Sequence, residues 1–220
     1  MTRLARFQFK TDLAVRQLST VAREVLSGPQ LVEIFLEYLI ALHCIIRASE
    51  PLLQAASNEA LRRLQQGDQS CDGLAEYFAL HQEEEHDHAE WLLQDIEAMG
   101  LSRDVALLRQ PSMEIAALAG SQYYWIYHYH PGFLLGYLAV LEGYPLDGKQ
   151  IDFFKAHTGY PEPVFRTLRK HAELDPAHGD DLYRFLEQSK LDDRVFEGLS
   201  ASSLATCSYL SQILRALVLK

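Results

Sequence analysis

Apolar side chains recur at helical spacings along almost the whole chain, and no stretch alternates polar with apolar over a useful length. Such a pattern restricts the fold to helix packed on helix. Leu13, Val15, Leu18, Val21 and Val25 mark a helix over 11–26, closed by Ser27-Gly28-Pro29. A strongly apolar run over 31–56 follows, and Pro51 is expected to kink or end it. Further helices are predicted over 58–66, 72–99 (closed by Gly100), 112–130 and, after Pro131-Gly132, 133–141. The last four are expected over 148–157, 163–172, 176–189 and 194–219. The breaks are too short for a domain linker. The 220 residues therefore read as one all-α domain, a bundle of about seven core helices.

Charge removes several functions from consideration. The formal net charge of −10 repels phosphate backbones, so nucleic acid is not an expected partner. The first 25 residues run against this trend, with Arg3, Arg6, Lys10, Arg16 and Arg23 facing only Asp12 and Glu24. They read as a solvated basic face, a docking arm for an acidic partner being the other reading. No segment is apolar for long enough to cross a bilayer, and residues 1–10 do not look like a signal peptide. Cys44, Cys71 and Cys207 are scattered and odd in number, which suits reduced thiols and a cytoplasmic location. No thiolate zinc pair, phosphate loop, nucleophile elbow or dinucleotide fingerprint occurs.

Three stretches carry chemistry. His171, Asp175 and His178 lie at offsets 0, 4 and 7, which a helix turning about 100° per residue gathers onto one face. Two imidazoles and a carboxylate there suit a first-row transition metal. Against this, Asp175-Pro176 also reads as a helix start, with Asp175 as the cap and Pro176 next. The second stretch lies between Asp68 and Glu97, where ten acidic residues stand with no Lys or Arg. It is either a solvated acidic stripe or a cation site. Within it Glu85 and His88, three apart, share a helical face in the Glu-x-x-His arrangement of di-iron bundles. Glu84 shares a face with His88 as well, so the first carboxylate is Glu84 or Glu85. The third stretch is Glu142, which ends a segment too apolar for a surface helix. A carboxylate buried there needs a cation or dense hydrogen bonding; a frayed helix end before Gly143 is the plainer reading. Glu85, His88, Glu142, His171, Asp175 and His178 together supply six donors, enough for two ions with open positions.

Other residues are read more simply. Tyr123, Tyr124, Trp125, Tyr127 and Tyr129 form an aromatic belt, expected as a core seam, with Tyr124 also a candidate for the substrate pocket. Arg47 either pairs with a buried acid or clamps a substrate carboxylate. His43 reads as a hydrogen-bonded core histidine bordering the pocket. Glu173, Asp180 and Tyr124 are expected to orient the imidazoles.

At these residues the sequence resembles the haem-oxygenase-like di-iron oxidases, the iron-containing redox enzymes. The resemblance runs from about Leu31 onward. It rests on Glu84-Glu85-x-x-His88 twelve residues before Gly100, on Gly136-Tyr137 through Leu141-Glu142-Gly143, and on the His171–Asp175–His178 triplet. It implies a seven-helix fold shared with haem oxygenase, two irons on the six residues named, and O2 as co-substrate. It also implies oxidation of a small amino-acid-like or fatty-acid-like substrate, with room for an external electron donor and a homodimer. One departure stands out: many members carry a glutamate seven residues before the ligand histidine, and here that residue is His81. Two rival readings remain. One is a protein of the same fold that binds metal or a haem-like group without turnover. The other is a helical interaction module docking through its acidic stripe.

Overall fold

A computed structural model describes residues 1–219, and among these the regular structure is ten α-helices and three short 3₁₀ turns, with no strand. The helices are α1 (Arg3–Leu26), α2 (Leu31–Gln65), α3 (Leu74–Glu84), α4 (His88–Ala98) and α5 (Asp104–Leu107), then α6 (Met113–His128), α7 (Leu134–Leu141), α8 (Gly148–Thr158), α9 (Arg166–Gln188) and α10 (Asp193–Leu217). No helix among the described residues is long and apolar enough to cross a membrane.

Four boundaries differ from expectation, each for a physical reason. The first helix begins at Arg3, because the Thr2 hydroxyl accepts the Ala5 N–H at 3.1 Å and caps it. Pro51 neither ends nor divides α2, which runs 35 residues. An interior proline costs about 3 kcal/mol, but Leu52, Leu53, Ala56 and Ala60 just beyond it are fully buried. Burial of that face outweighs the missing hydrogen bond. Pro176 is likewise absorbed inside α9, so Asp175 is no helix cap but a mid-helix residue on the buried face. Conversely, the expected single helix over 72–99 is broken at Glu85-His86-Asp87, with Asp87 in the left-handed region at φ 68°. Aspartate tolerates that region better than most residues. The break turns the chain between α3 and α4 and brings His81, Glu85 and His88 to one side.

One continuous apolar core runs from Phe7 to Leu217. In it α10 lies against α1, α6 and α7, while α2 lies against α3, α4 and α6. Helix α9 closes the bundle by touching α4, α7 and α8. The broken α3–α4 segment, the end of α7 and the middle of α9 therefore meet at one place.

The approach of α7 to α10 requires a glycine. A Cβ on Gly136 would stand 2.2 Å from the Leu199 carbonyl oxygen, a backbone atom that cannot swing aside. Gly136→Ala is expected to destabilise the protein by about 1–3 kcal/mol through overpacking, read from the urea midpoint. An unchanged midpoint would show that the two helices can separate freely.

Candidate metal centre

Seven potential donors converge between these helices. His81 lies on the last turn of α3, Glu85 in the break, and His88 opens α4. Glu142 caps the C-terminal end of α7, and His171, Asp175 and His178 line one face of α9. At one end the His88 and His171 rings stand 4.9 Å apart, centroid to centroid, with Glu85 Oε1 3.1 Å from His88 Nδ1. At the other end the His81 and His178 rings stand 5.2 Å apart, and both approach Glu142. His81 Nε2 is 3.0 Å from Glu142 Oε1, and His178 Nδ1 is 3.8 Å from Oε2. Ligand atoms of His81, Glu85 and His178 all fall within 4.8 Å of one another. Trp91 walls one side, its ring 4.0 Å from His88 and capped by the Lys170 ammonium at 3.6 Å.

Burial and mutual repulsion set the protonation of this cluster when no cation is present. Burial pushes the Asp175 carboxyl up to about 8, helped by the charges of Glu142 and Glu85. Burial raises Glu142 as well. Burial disfavours a charge on His81, yet its hydrogen bond to Glu142 and the surrounding carboxylates prevail and push it up to about 9. Burial holds His171 down to about 4, so it is neutral and available as a donor. Glu85 goes the other way: burial opposes its charge, but the His88 contact holds it below the usual range.

The donor set fits metal ions on its own chemistry. The Nδ1 atoms of His171 and His178 are buried and make no hydrogen bond, while His88 Nδ1 and Glu142 Oε2 meet only other members of the donor set, Glu85 and His81. Buried polar atoms without partners are rare, and a cation held among these donors would satisfy them. Imidazole with carboxylate suits iron and its first-row neighbours over calcium or magnesium.

Sequence reasoning found six of these seven side chains. His81 was legible as the residue one helical turn before Glu84 and Glu85, on their face, but its type did not match the pattern sought. Of the two glutamates, Glu85 is the buried one, its side chain 9% exposed against 52% for Glu84. The proposed pocket residues lie elsewhere. Arg47 is exposed, Tyr124 is exposed on α6 against His128 and Tyr129, and His43 is buried in α2, none lining the cavity beside the donors. Most of the aromatic belt faces outward, Tyr124, Tyr127 and Tyr129 all being about half exposed. Glu173 and Asp180 are also exposed and do not reach the imidazoles by any hydrogen bond among the described residues.

A second cluster, Asp68, Cys71 and His130, has ligand atoms at similar separations. There the His130 Nδ1 accepts the Gly132 N–H at 3.1 Å, so Nε2 carries the ring proton and points it at the Ser70 oxygen 3.0 Å away. Burial holds His130 down to about 4 and the Cys71 thiol up to about 11. The Ser70 hydroxyl donates to Asp68 and holds its carboxyl below the usual range, so the cluster is a hydrogen-bonded tie between the end of α2 and the start of α7, with Asp68 charged and His130 and Cys71 neutral.

One residue outside the donor set places it. Asp95 is fully buried on α4, seven residues beyond His88. Its carboxylate accepts the Thr167 N–H at 3.0 Å and the Arg166 guanidinium at 3.2 Å, at the first turn of α9. The bond holds α4 against the start of α9 and so sets His171 opposite His88.

A family model described as iron-containing redox enzyme matches residues 81–206. Among solved structures, a domain with a heme oxygenase-like fold from Shewanella denitrificans OS217 is similar to the chain with a TM-score of 0.64 and 19% identity, over 92% of this chain and 89% of that one. A TenA homolog from Pseudomonas syringae pv. tomato str. DC3000 is similar with a TM-score of 0.67 and 13% identity, over 95% of this chain and 92% of that one. No curated protein sequence matches significantly. At these identities the structural likenesses establish the heme oxygenase-like all-helical fold.

Two outcomes follow from the geometry. Asp95→Ala should cost about 1.5–3 kcal/mol, the range for hydrogen bonds to a charged group, and should weaken metal uptake because the His88–His171 spacing loosens. Chemical denaturation and a metal titration of the same variant check both. The second concerns pH. Asp175 and His81 hold protons more tightly folded than unfolded, so each stabilises the metal-free protein at low pH and loses that contribution as pH rises toward about 8 and 9. The metal-free melting temperature should therefore fall between pH 6.5 and 9. Ferrous ion should flatten that slope and release protons on binding, measured by calorimetry in buffers of different ionisation enthalpy.

Proposed function

The chain belongs to the family of iron-containing redox enzymes, and from that premise we propose that it is a non-haem di-iron oxidase or oxygenase acting on a small organic substrate with O2. We read its full length as one domain with one such centre. The observation that carries this reading is the convergence of four imidazoles and three carboxylates, with the Nδ1 atoms of His171 and His178 buried and without a hydrogen-bond partner. Glu85, His88 and His171 form one group of donors and His81, Glu142 and His178 the other, with Asp175 charge-coupled to both glutamates and to His81. Two groups of this kind suit two ions better than one, and three carboxylates balance most of the charge of two ferrous ions. A haem pocket would call for one axial histidine and an apolar space, not a ring of acids.

Iron, when bound, supplies the redox chemistry with O2, and the chain's own residues supply the surroundings. Neutral His171 and ionised Glu85 are in ligating form before any ion arrives. Asp175, Glu142 and His81, which hold protons more tightly than usual without a cation, would have to give them up to hold an ion. Beside the donors lies a cavity of about 190 Å³ whose other walls are mostly aliphatic, including Leu42, Ile45, Ile46 and Leu168. Such walls exclude water from the reacting end of a substrate. Reducing equivalents beyond those of the substrate would come from an external electron donor.

Purified protein loaded anaerobically with ferrous ion should hold two irons per chain and consume O2 on exposure to air. His171→Ala should lose at least one of the two irons, counted by elemental analysis, and with it the rapid O2 uptake. An unchanged iron count in that variant would remove the triplet from the centre. Full loading of the natural chain with no uptake of O2, with or without reductant, would make it an iron-binding protein instead.

A further inference from the structure

The donors are open to two spaces, and the two differ in kind. The aliphatic cavity of about 190 Å³ meets Glu85, Glu142, His171 and Asp175. A separate cleft of about 280 Å³ between α3 and α9 meets His81 and His178. No described residue lines both. The stacked rings of Tyr77 and Phe185, 4.6 Å apart, form one wall of the cleft. Leu80, Glu84, Asp181 and Arg184 make its rim, all of them more than half exposed. The two imidazoles are its buried end.

Glu84 links that rim to the imidazoles. Its Oε2 lies 3.2 Å from His81 Nδ1 and 3.8 Å from His178 Nε2. The remaining nitrogen of each ring meets a different carboxylate: His81 Nε2 stands 3.0 Å, and His178 Nδ1 3.8 Å, from Glu142 Oε2. Each imidazole thus offers one nitrogen outward to a half-exposed acid and the other inward to a buried one. His178 Nδ1 is buried without a hydrogen-bond partner, so the inward set is the one left incomplete. At the rim Asp181 pairs with Arg184, whereas Glu84 has no Lys or Arg partner among the described residues. The other space offers a cation no such step. An ion entering there would shed its water against Leu42, Ile45, Ile46 and Leu168.

We propose that this cleft is the entry port of the metal centre, and that Glu84 with the outward nitrogens of His81 and His178 forms an outer cation position that fills first. The proposal rests on the reading of the buried cluster as a metal centre. Both distances from Glu84 fall within twice the roughly 2.1 Å of a bond from such an ion to oxygen or nitrogen, so one ion can bridge Glu84 to either ring. A carboxylate at the rim of a cleft also raises the local concentration of cations and their rate of capture. The same two rings flank Glu142, so a cation leaving Glu84 reaches the buried donors without crossing apolar surface. The division leaves the aliphatic cavity to the organic substrate.

The test follows uptake of cobaltous ion by the metal-free full chain under argon, by stopped-flow absorbance, with bound metal counted at equilibrium. Glu84→Gln keeps an acceptor for the His81 ring but removes the charge. It should slow uptake by about tenfold or more while the equilibrium count stays unchanged. Leu80 is 57% exposed, so a charge placed there leaves the core intact. Leu80→Lys should slow uptake about threefold at low salt and Leu80→Glu should quicken it by a similar factor, both effects fading as salt rises. Leu146→Lys, beside the aliphatic cavity, should leave the rate unchanged. A natural rate in Glu84→Gln would mean that Glu84 only orients His81, and would overturn the proposal. Slowing by Leu146→Lys with no response to either change at Leu80 would put entry through the aliphatic cavity and overturn it equally. The equilibrium count separates the two readings. A chain that holds no cobalt at equilibrium defeats the metal centre and this port with it, whereas full loading at rates indifferent to positions 80 and 84 defeats the port alone.

Discussion

Three carboxylates, on Glu85, Glu142 and Asp175, gather largely buried inside an apolar bundle, close enough for their charges to disfavour one another. Uncompensated, such charges are pushed toward their neutral forms, as Asp175 and Glu142 are here. The fold holds them together regardless, because each comes from a helix fixed by its own apolar face. Glu142 ends α7, a segment buried at almost every position, and Asp175 shares α9 with buried Leu168, Leu182 and Leu186. The hydrophobic core thus pays the electrostatic cost of a site that bound protons, or a cation in their place, relieve.

Two contacts convert that crowding into a defined geometry. The Asp95 carboxylate grips the first turn of α9 and so fixes how far His171 stands from His88. Gly136 lets α7 lie directly on the backbone of α10, which sets the depth at which Glu142 arrives. Neither residue touches the donors. Both decide whether the donors meet.

Much of this was legible from residue types and spacing. The helical class, the face shared by His171, Asp175 and His178, and the burial of Glu142 all follow from local periodicity. What local reasoning misjudged were the breaks. Pro51 read as a kink or end and Asp175-Pro176 as the start of a new helix, yet burial of the flanking residues in the core carries one helix through each. The turn at Glu85-His86-Asp87 carries no glycine or proline to announce it, and it arises where the chain bends to bring His81 and Glu85 inward. Tyr124 was offered to the pocket from the aromatic belt, and Arg47 and His43 from the apolar helix around them, but none lines the cavity. Whether a helix position faces a cavity, a core or solvent depends on which other helices surround it.

The amino-acid sequence by itself determined the kind of structure and the kind of donor: a helical bundle carrying imidazoles and carboxylates at ligand spacing, because both are properties of single helices. Only the tertiary structure decided that His81 joins the cluster and that Glu85 rather than Glu84 is the more buried acid. Those facts depend on contacts between residues far apart in the chain, such as His81 with Glu142, 61 positions on. Spacing along a helix cannot encode them, since they follow from how the helices pack around one core.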